Sequence, residues 1–210
     1  MKDELATATS PGRPPTDPAS GPQGARRQIL DAAARLLRHR GYGATTTRAI
    51  ASAVGIKGGS IYHHFPSKDA IVAEVVNEGV RVVYDAVGGA LAALPADATP
   101  AQRLETAIKA HLLSSLEHSD YTSASIRTFA FLPDAVRGEC REERRRYERL
   151  WRDLVKEVHG AGLIDQHISP DSVRLLLLGG VNWAGEWYRA GRMDIEQISR
   201  DFAACVLHAK

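Results

Sequence analysis

Residues 45–68 read Thr-Thr-Thr-Arg-Ala-Ile-Ala-Ser-Ala-Val-Gly-Ile-Lys-Gly-Gly-Ser-Ile-Tyr-His-His-Phe-Pro-Ser-Lys, and few folds accommodate that order of residues. Thr45 and Thr46 can cap a helix start, because a hydroxyl oxygen there accepts from otherwise unpaired backbone N–H groups. Ile50, Ala51 and Val54 fall on one side of that helix. Gly55 follows at the place where the chain must turn sharply, in a conformation that a side chain resists. A second short helix starts with the small residues Gly58, Gly59 and Ser60. Ile61 and Phe65 anchor it inward, while Tyr62, His63 and His64 can point outward. Pro66 ends it, Ser67 can cap the next helix, and Lys68 stands in that helix's first turn.

A short helix, a glycine turn and a second helix carrying small, basic and aromatic residues form the layout of a helix-turn-helix, whose second helix enters the major groove of DNA. Charge placement supports this independently. Residues 24–68 hold eight Lys or Arg (Arg26, Arg27, Arg35, Arg38, Arg40, Arg48, Lys57, Lys68) against one acid, Asp31, a net +7 in a chain whose total is +2. The remainder is therefore at −5, and positive charge sits where a polyanion would meet it.

The block Thr-Thr-x-x-Ile-Ala-x-x-x-Gly-Ile followed by Ser-Ile-Tyr-x-His-Phe-x-x-Lys resembles the DNA-binding domain of the tetracycline-repressor-like (TetR/AcrR) family of transcriptional regulators, over about residues 24–76. The resemblance implies phosphate contacts from Thr46, Tyr62, His64 and Lys68. It implies base-edge or groove contacts from Thr47, Arg48, Lys57, Gly58, Gly59, Ser60 and His63. It also implies an all-α chain, with an N-terminal three-helix DNA-binding domain at 24–70 and a helical effector-binding and dimerisation domain at 71–210. Such regulators form homodimers through their last two long helices and most often repress from a pseudo-palindromic operator. An activator or a metal-responsive regulator of the same fold is the alternative.

Outside that block, periodicity and composition carry the reading. Residues 1–23 hold five prolines and few apolar groups, which predicts a disordered tail. Within it, Pro11-Gly12-Arg13-Pro14-Pro15 resembles the core of a minor-groove arm, with an inert linker as the competing reading. Ile29, Ala33, Leu36 and Leu37 make a helical stripe ended by Gly41. Val72, Val76, Gly79, Val80, Val83 and Val87 line a long helix from about Lys68 to Leu94. Thr99-Pro100 opens another, with Leu104, Ala107, Ile108, His111 and Leu112 as its stripe. A short helix is expected over residues 124–132. Residues 139–157 are highly charged, and the spacings Glu142–Arg146, Glu148–Arg152 and Arg149–Asp153 predict ion pairs on a solvated face that includes Arg144. Residues 173–188 are apolar almost all round, which calls for partners on every side. A last helix is expected over 194–208.

Candidates for an effector cavity are polar or large aromatic members of apolar stripes: His111, Tyr121, Phe129, Trp151, Asn182, Trp183 and Trp187, with ordinary core packing the competing role of each. Residues 181–189, Val-Asn-Trp-Ala-Gly-Glu-Trp-Tyr-Arg, look like a stretch common in a subset of the family that often responds to acyl-CoA or hydrophobic carboxylic acids. That implies a small apolar effector. Neither a nucleophile elbow, a phosphate loop nor a His-Glu-x-x-His motif is present, so no enzyme, cofactor or metal site is expected. Two cysteines without metal spacing, no apolar leader and no span of roughly 20 apolar residues point to a cytoplasmic chain without membrane contact.

Overall fold

In the computed structural model, which describes residues 22–207 apart from the side chains of Pro22 and His118, every regular element is helical. Helix α1 runs Pro22–Ala44, α2 Thr47–Val54, α3 Lys68–Ala92 and α4 Pro100–Leu113, with a 3₁₀ segment Gly58–His63 between α2 and α3. Helix α4 continues into one π-helical turn, Ser114–His118. Then follow α5 Asp120–Thr128, α6 Asp134–Glu139, α7 Arg141–Gly160, α8 Pro170–Trp187 and α9 Ile195–Ala204. Most of the expected tail, Arg13 included, lies outside the described residues.

The boundaries follow local chemistry. Gly41 breaks the regular path of α1 at φ 72°, and Gly55 closes α2 at φ 78°, a left-handed region that costs a Cβ-bearing residue dearly. Ser67 Oγ accepts from the Ala70 N–H at 3.1 Å to start α3. Thr99 and Gln102 form a reciprocal capping box, with Pro100 at the first helical position of α4. The helix expected over 124–132 begins earlier, because Ser119 caps α5 through the Thr122 N–H at 3.1 Å.

Two cores share α3. Its first half, Ile71 to Val76, packs with Ile29, Leu37, Ile50, Ile61 and Phe65. Its second half, Val80 to Val87, packs with Leu104, Ile108, Trp151, Val155, Leu177 and Ile198. The first core also takes in Tyr121 and Ala124 of α5, Val136 of α6, and Cys140, so it reaches well beyond residue 70. Helix α5 lies against both α1 and α3, and the contact with α3 is close at Gly79. A Cβ built there would lie 2.7 Å from the Tyr121 carbonyl carbon and 2.8 Å from Ser125 Cβ. Thr122 Oγ1 donates to the Gly79 carbonyl at 3.2 Å across the same contact.

One expectation needs correction. The i, i+4 ion pairs predicted within α7 are not formed; Glu142 reaches Arg149 further along the helix at 3.9 Å, and other charges reach other elements, Glu143 to Arg81 at 3.5 Å, Glu157 to Arg103 at 3.2 Å and Arg152 to Asp171 at 3.8 Å. Tertiary neighbours offer partners that long side chains on one helix face do not have to share. Helix α8 buries Val173, Leu177, Val181 and Ala184, whereas Leu175, Leu176 and Trp183 are 62%, 65% and 65% exposed in the single chain. It is therefore partnered on one side only within the chain.

Gly79→Ala should lower stability by about 1–3 kcal/mol, since the clash is with backbone and not with a mobile side-chain tip. A urea midpoint equal to that of the unaltered protein would mean that α3 and α5 do not approach this closely.

Candidate nucleic-acid interface and effector cavity

The helix-turn-helix is built as the sequence predicts at the level of single caps. Thr46 Oγ1 accepts from the Ala49 N–H at 3.1 Å, while Thr45, fully buried, donates to the Gly41 carbonyl at 2.8 Å. Ile61 and Phe65 are 0% and 2% exposed and hold the 3₁₀ segment down, so its other side faces outward. Thr46, Arg48, Lys57, Gly58, Gly59, Tyr62 and His63 are exposed, and Thr47, Ser60, His64 and Lys68 are half-buried. A Cβ at Gly58 or Gly59 would meet no atom within 4 Å. Packing within the chain therefore does not account for this glycine pair.

The basic residues of this head divide into two groups. Arg26 pairs with Glu74, Arg27 with Asp31 at 3.1 Å and Glu78 at 3.6 Å, and Arg38 with Asp120 at 2.7 Å. Arg26 also stacks 4.5 Å over the Phe65 ring. Lys68 Nζ donates to the Tyr42 carbonyl at 3.1 Å and sits 3.7 Å over its ring. The Tyr42 hydroxyl donates to Asp69 Oδ1 at 2.7 Å, and this bond pushes its pKa up to about 12. Lys68 thus braces the loop after α1 against the start of α3, with two of its three ammonium donors left over. Arg35, Arg40, Arg48 and Lys57 form no ion pair among the described residues.

A cavity of about 110 Å³ lies in the body between α3, α4, α5, α7 and α8. Its walls are Gly79, Val80, Val83, Ile126 and Leu178 on the apolar side, with His111, Thr122, Ser125, Arg144, Tyr147, Glu148 and Asn182 as polar members. His111 Nδ1 lies 2.7 Å from the Tyr147 hydroxyl, and its ring stacks on the Tyr147 ring. Burial lowers the His111 pKa to about 4, against a smaller opposing effect of Asn182, so the imidazole is neutral. Burial likewise raises that of Tyr147, which stays protonated.

Of the seven residues expected at the cavity, His111 and Asn182 line it. Trp151 is wholly buried behind it, edge-on to His111 at 6.1 Å. Phe129 lies under Arg144, whose guanidinium is 3.8 Å from the ring centroid. Tyr121 turns to the head instead, donating to Asp31 at 2.6 Å beneath Arg27. Trp183 is exposed, and Trp187 stacks on Phe202 with centroids 6.4 Å apart. A stripe shows which residues leave water but not which neighbour they meet, and Trp183, one residue from Asn182, is turned by about 100° around the helix. Arg144 is not on a solvated face: it is half-buried with no carboxylate in ion-pair reach. Arg144, Tyr147, Thr122, Ser125 and Glu148 line the cavity without being expected there; the hydroxyl-rich run 119–125 is a signal for Thr122 and Ser125 alone. Among the described residues no group of His, Cys, Asp and Glu could hold a metal ion, and no helix is long and apolar enough to cross a membrane.

Comparison with known proteins supplies the relatives. Residues 29–75 match the family described as bacterial regulatory proteins, tetR family, and residues 97–209 match the tetracyclin repressor-like C-terminal domain. The HTH-type transcriptional repressor KstR2 of Rhodococcus jostii (strain RHA1) is 31% identical over 203 residues, covering 92% of this chain and 95% of its own. Among solved structures, AibR in complex with isovaleryl coenzyme A and operator DNA shares the fold at TM-score 0.77 and 24% identity, over 87% of this chain and 97% of its own. The TetR family regulator PfmR from Thermus thermophilus follows at TM-score 0.72 and 25% identity, covering 88% and 96%.

The depressed pKa of His111 makes stability depend on pH. Below about 6.5 the unfolded chain takes up a proton that the folded imidazole refuses until pH about 4. The stabilisation is therefore complete above pH 6.5 and is lost as pH falls through that window, by roughly 3 kcal/mol in all. Urea midpoints between pH 7.5 and 4 should fall more steeply for the native sequence than for His111→Gln; parallel curves would show that His111 is not buried neutral.

Proposed function

The chain belongs to the tetR family of bacterial regulatory proteins, and from that premise we propose that it is a homodimeric transcriptional repressor of the bacterial cytoplasm. It binds a pseudo-palindromic operator and releases it when a small hydrophobic effector occupies the body. The observation that carries the DNA half of this reading is the outward face of the 3₁₀ segment. Lys57, without an ion pair, immediately precedes a bare glycine pair and the 57% exposed Tyr62, and Arg48 is exposed and without an ion pair on α2. Such a surface lets backbone approach a base edge or phosphate closely, while cations and hydroxyls fix register on the duplex. Thr46, Tyr62, His64 and Lys68 are assigned to phosphates, and Thr47, Arg48, Lys57, Gly58, Gly59, Ser60 and His63 to the groove. The exposed Leu175, Leu176 and Trp183 of α8 are assigned to the dimer interface, which removes them from water.

The switch is supported by the placement of α5. Asp120 and Tyr121 hold α1 through Arg38 and Asp31, while Thr122, Ser125 and Ile126 of the same helix line the cavity. An effector that moves α5 therefore displaces both α1 and α3, and with them the spacing of heads that must reach grooves about 35 Å apart. It does so only through its different affinity for the two arrangements. A cavity of about 110 Å³ is far below the roughly 300–1,000 Å³ of drug-sized sites. Of an acyl-CoA such as the one bound to AibR, only an acyl portion would enter it. No catalytic step is assigned to the chain.

Selection of bound sequences from random duplex DNA by the purified dimer tests the function directly. A recovered palindrome establishes the regulator; a folded dimer that enriches nothing, with and without prior removal of bound small molecules, would sink the reading. On the recovered operator, Gly58→Ala combined with Gly59→Ala should leave the denaturation midpoint unchanged but weaken binding about tenfold or more, whereas unchanged affinity would rule out close backbone approach. Lys68→Ala should weaken binding to all sequences, lowering the salt slope by about one, and should also reduce stability through loss of the Tyr42 brace. Arg48→Ala should alter sequence preference at constant stability; a uniform loss for both variants would refute this division.

A further inference from the structure

The polar wall of the cavity contains groups whose bonding is met and groups whose bonding is not. His111 and Tyr147 hold each other at 2.7 Å, and the Asn182 side chain also bonds the imidazole. Thr122 donates to the Gly79 carbonyl at 3.2 Å and meets Ser114 Oγ at 3.1 Å. Arg144 and Ser125 remain. Arg144 lines the same space, yet among the described residues it has no hydrogen bond and no carboxylate in ion-pair reach. The hydroxyl of Ser125, a residue 3% exposed, likewise has no hydrogen-bond partner among them.

A guanidinium does not give up its proton in a protein. Burial nevertheless pulls the Arg144 pKa down from the ordinary arginine value, as expected of a charge short of water. Phe129 lies 3.8 Å from it and uses only the face of the cation; the N–H donors lie in the guanidinium plane, at its edge. A partly desolvated cation with an open edge is relieved by an anion, and a carboxylate matches that edge with two parallel hydrogen bonds. Val80, Val83, Ile126 and Leu178 make the rest of the space apolar, and about 110 Å³ limits its contents to a small molecule. Glu148, one turn along α7 in the same wall, attracts Arg144 without reaching it. Coulomb energy falls with distance, so a carboxylate in contact with Arg144 gains more than it loses to Glu148, whereas a second carboxylate would meet Glu148 with no cation left over.

We infer that the cavity receives the free carboxylate of a compact apolar acid, gripped at the edge of the Arg144 guanidinium, and that Glu148 excludes acids with two charges. This rests on the reading of the body as an effector site. It separates a free acid from its thioester, because a thioester carbonyl brings one uncharged oxygen to an edge that offers several donors to a charge. Ser125 is a further donor on α5.

The test is calorimetry on the full-length protein at neutral pH with four probes: cyclopentanecarboxylate, its primary amide, its S-methyl thioester and cyclopentane-1,3-dicarboxylate. The monocarboxylate should bind about tenfold or more tightly than the amide and the thioester. In Arg144→Gln that ratio should fall to near one, and in Arg144→Lys, which keeps the charge but not the planar fork, it should be intermediate. The dicarboxylate should bind more weakly than the monocarboxylate, and Glu148→Gln should narrow that gap. Because a variant can fail to fold, the unaltered protein with ¹⁵N-labelled arginine gives a second reading: the Arg144 Nε–H resonance should shift with the monocarboxylate and not with the amide. Equal affinity for carboxylate and amide, tighter binding of the thioester, no binding of the monocarboxylate, or an unmoved Arg144 resonance would each overturn the inference. None of these outcomes bears on the DNA selection, so failure here is separable from failure of the repressor reading.

Discussion

Helix α5 rests directly on the backbone of α3 at Gly79, and the relation between head and body depends on that contact. With no Cβ at residue 79, the Tyr121 carbonyl can sit against α3, and Thr122 can reach the Gly79 carbonyl. The same short helix then shows Tyr121 and Ala124 to the first core and Thr122 and Ser125 to the cavity. Close-packed interfaces of this kind shift between discrete arrangements and do not deform smoothly. In the proposed switch, a change in what fills the cavity reaches α1 through a helix only nine residues long.

Electrostatics reinforces this joint. Arg27 bridges Asp31 of its own helix and Glu78 of α3 beneath Tyr121, and Arg38 reaches Asp120 at the start of α5. These pairs are partly exposed, so each contributes little by itself; as a network they bias orientation. They also withdraw cations from any polyanion. Under the proposed function, what remains for nucleic acid is a smaller set, Arg35, Arg40, Arg48, Lys57 and the free donors of Lys68, together with backbone and hydroxyl donors around the glycine pair. Affinity then leans on close approach as much as on charge.

In the body, the two most deeply buried titratable side chains of the cavity are neutral, although Arg144 and Glu148 also line it. His111 and Tyr147 hold one another, and burial keeps the first deprotonated and the second protonated.

The helix-turn-helix was legible because it is local. Thr46, Gly55, Ile61, Phe65 and Ser67 each act within a few residues of themselves, through caps, a left-handed turn or a period of four, and all behave as their spacing implies. The long α3 and the start of α4 were legible for the same reason. Which charges pair, and which side of a buried stripe meets the cavity, were not. Arg144 reads as one of three surface arginines until α5 and Phe129 are placed beside it. Tyr121 reads as a cavity residue until α1 supplies Asp31, some 90 residues earlier. By itself the sequence determined the long helices, the caps that start α2, α3 and α4, and the family, because those depend on neighbours along the chain; the start of α5 and the short α6 it did not. Only the tertiary structure decided the role of each buried polar group, because a hydrogen bond or ion pair is fixed by atoms that packing brings together from distant segments.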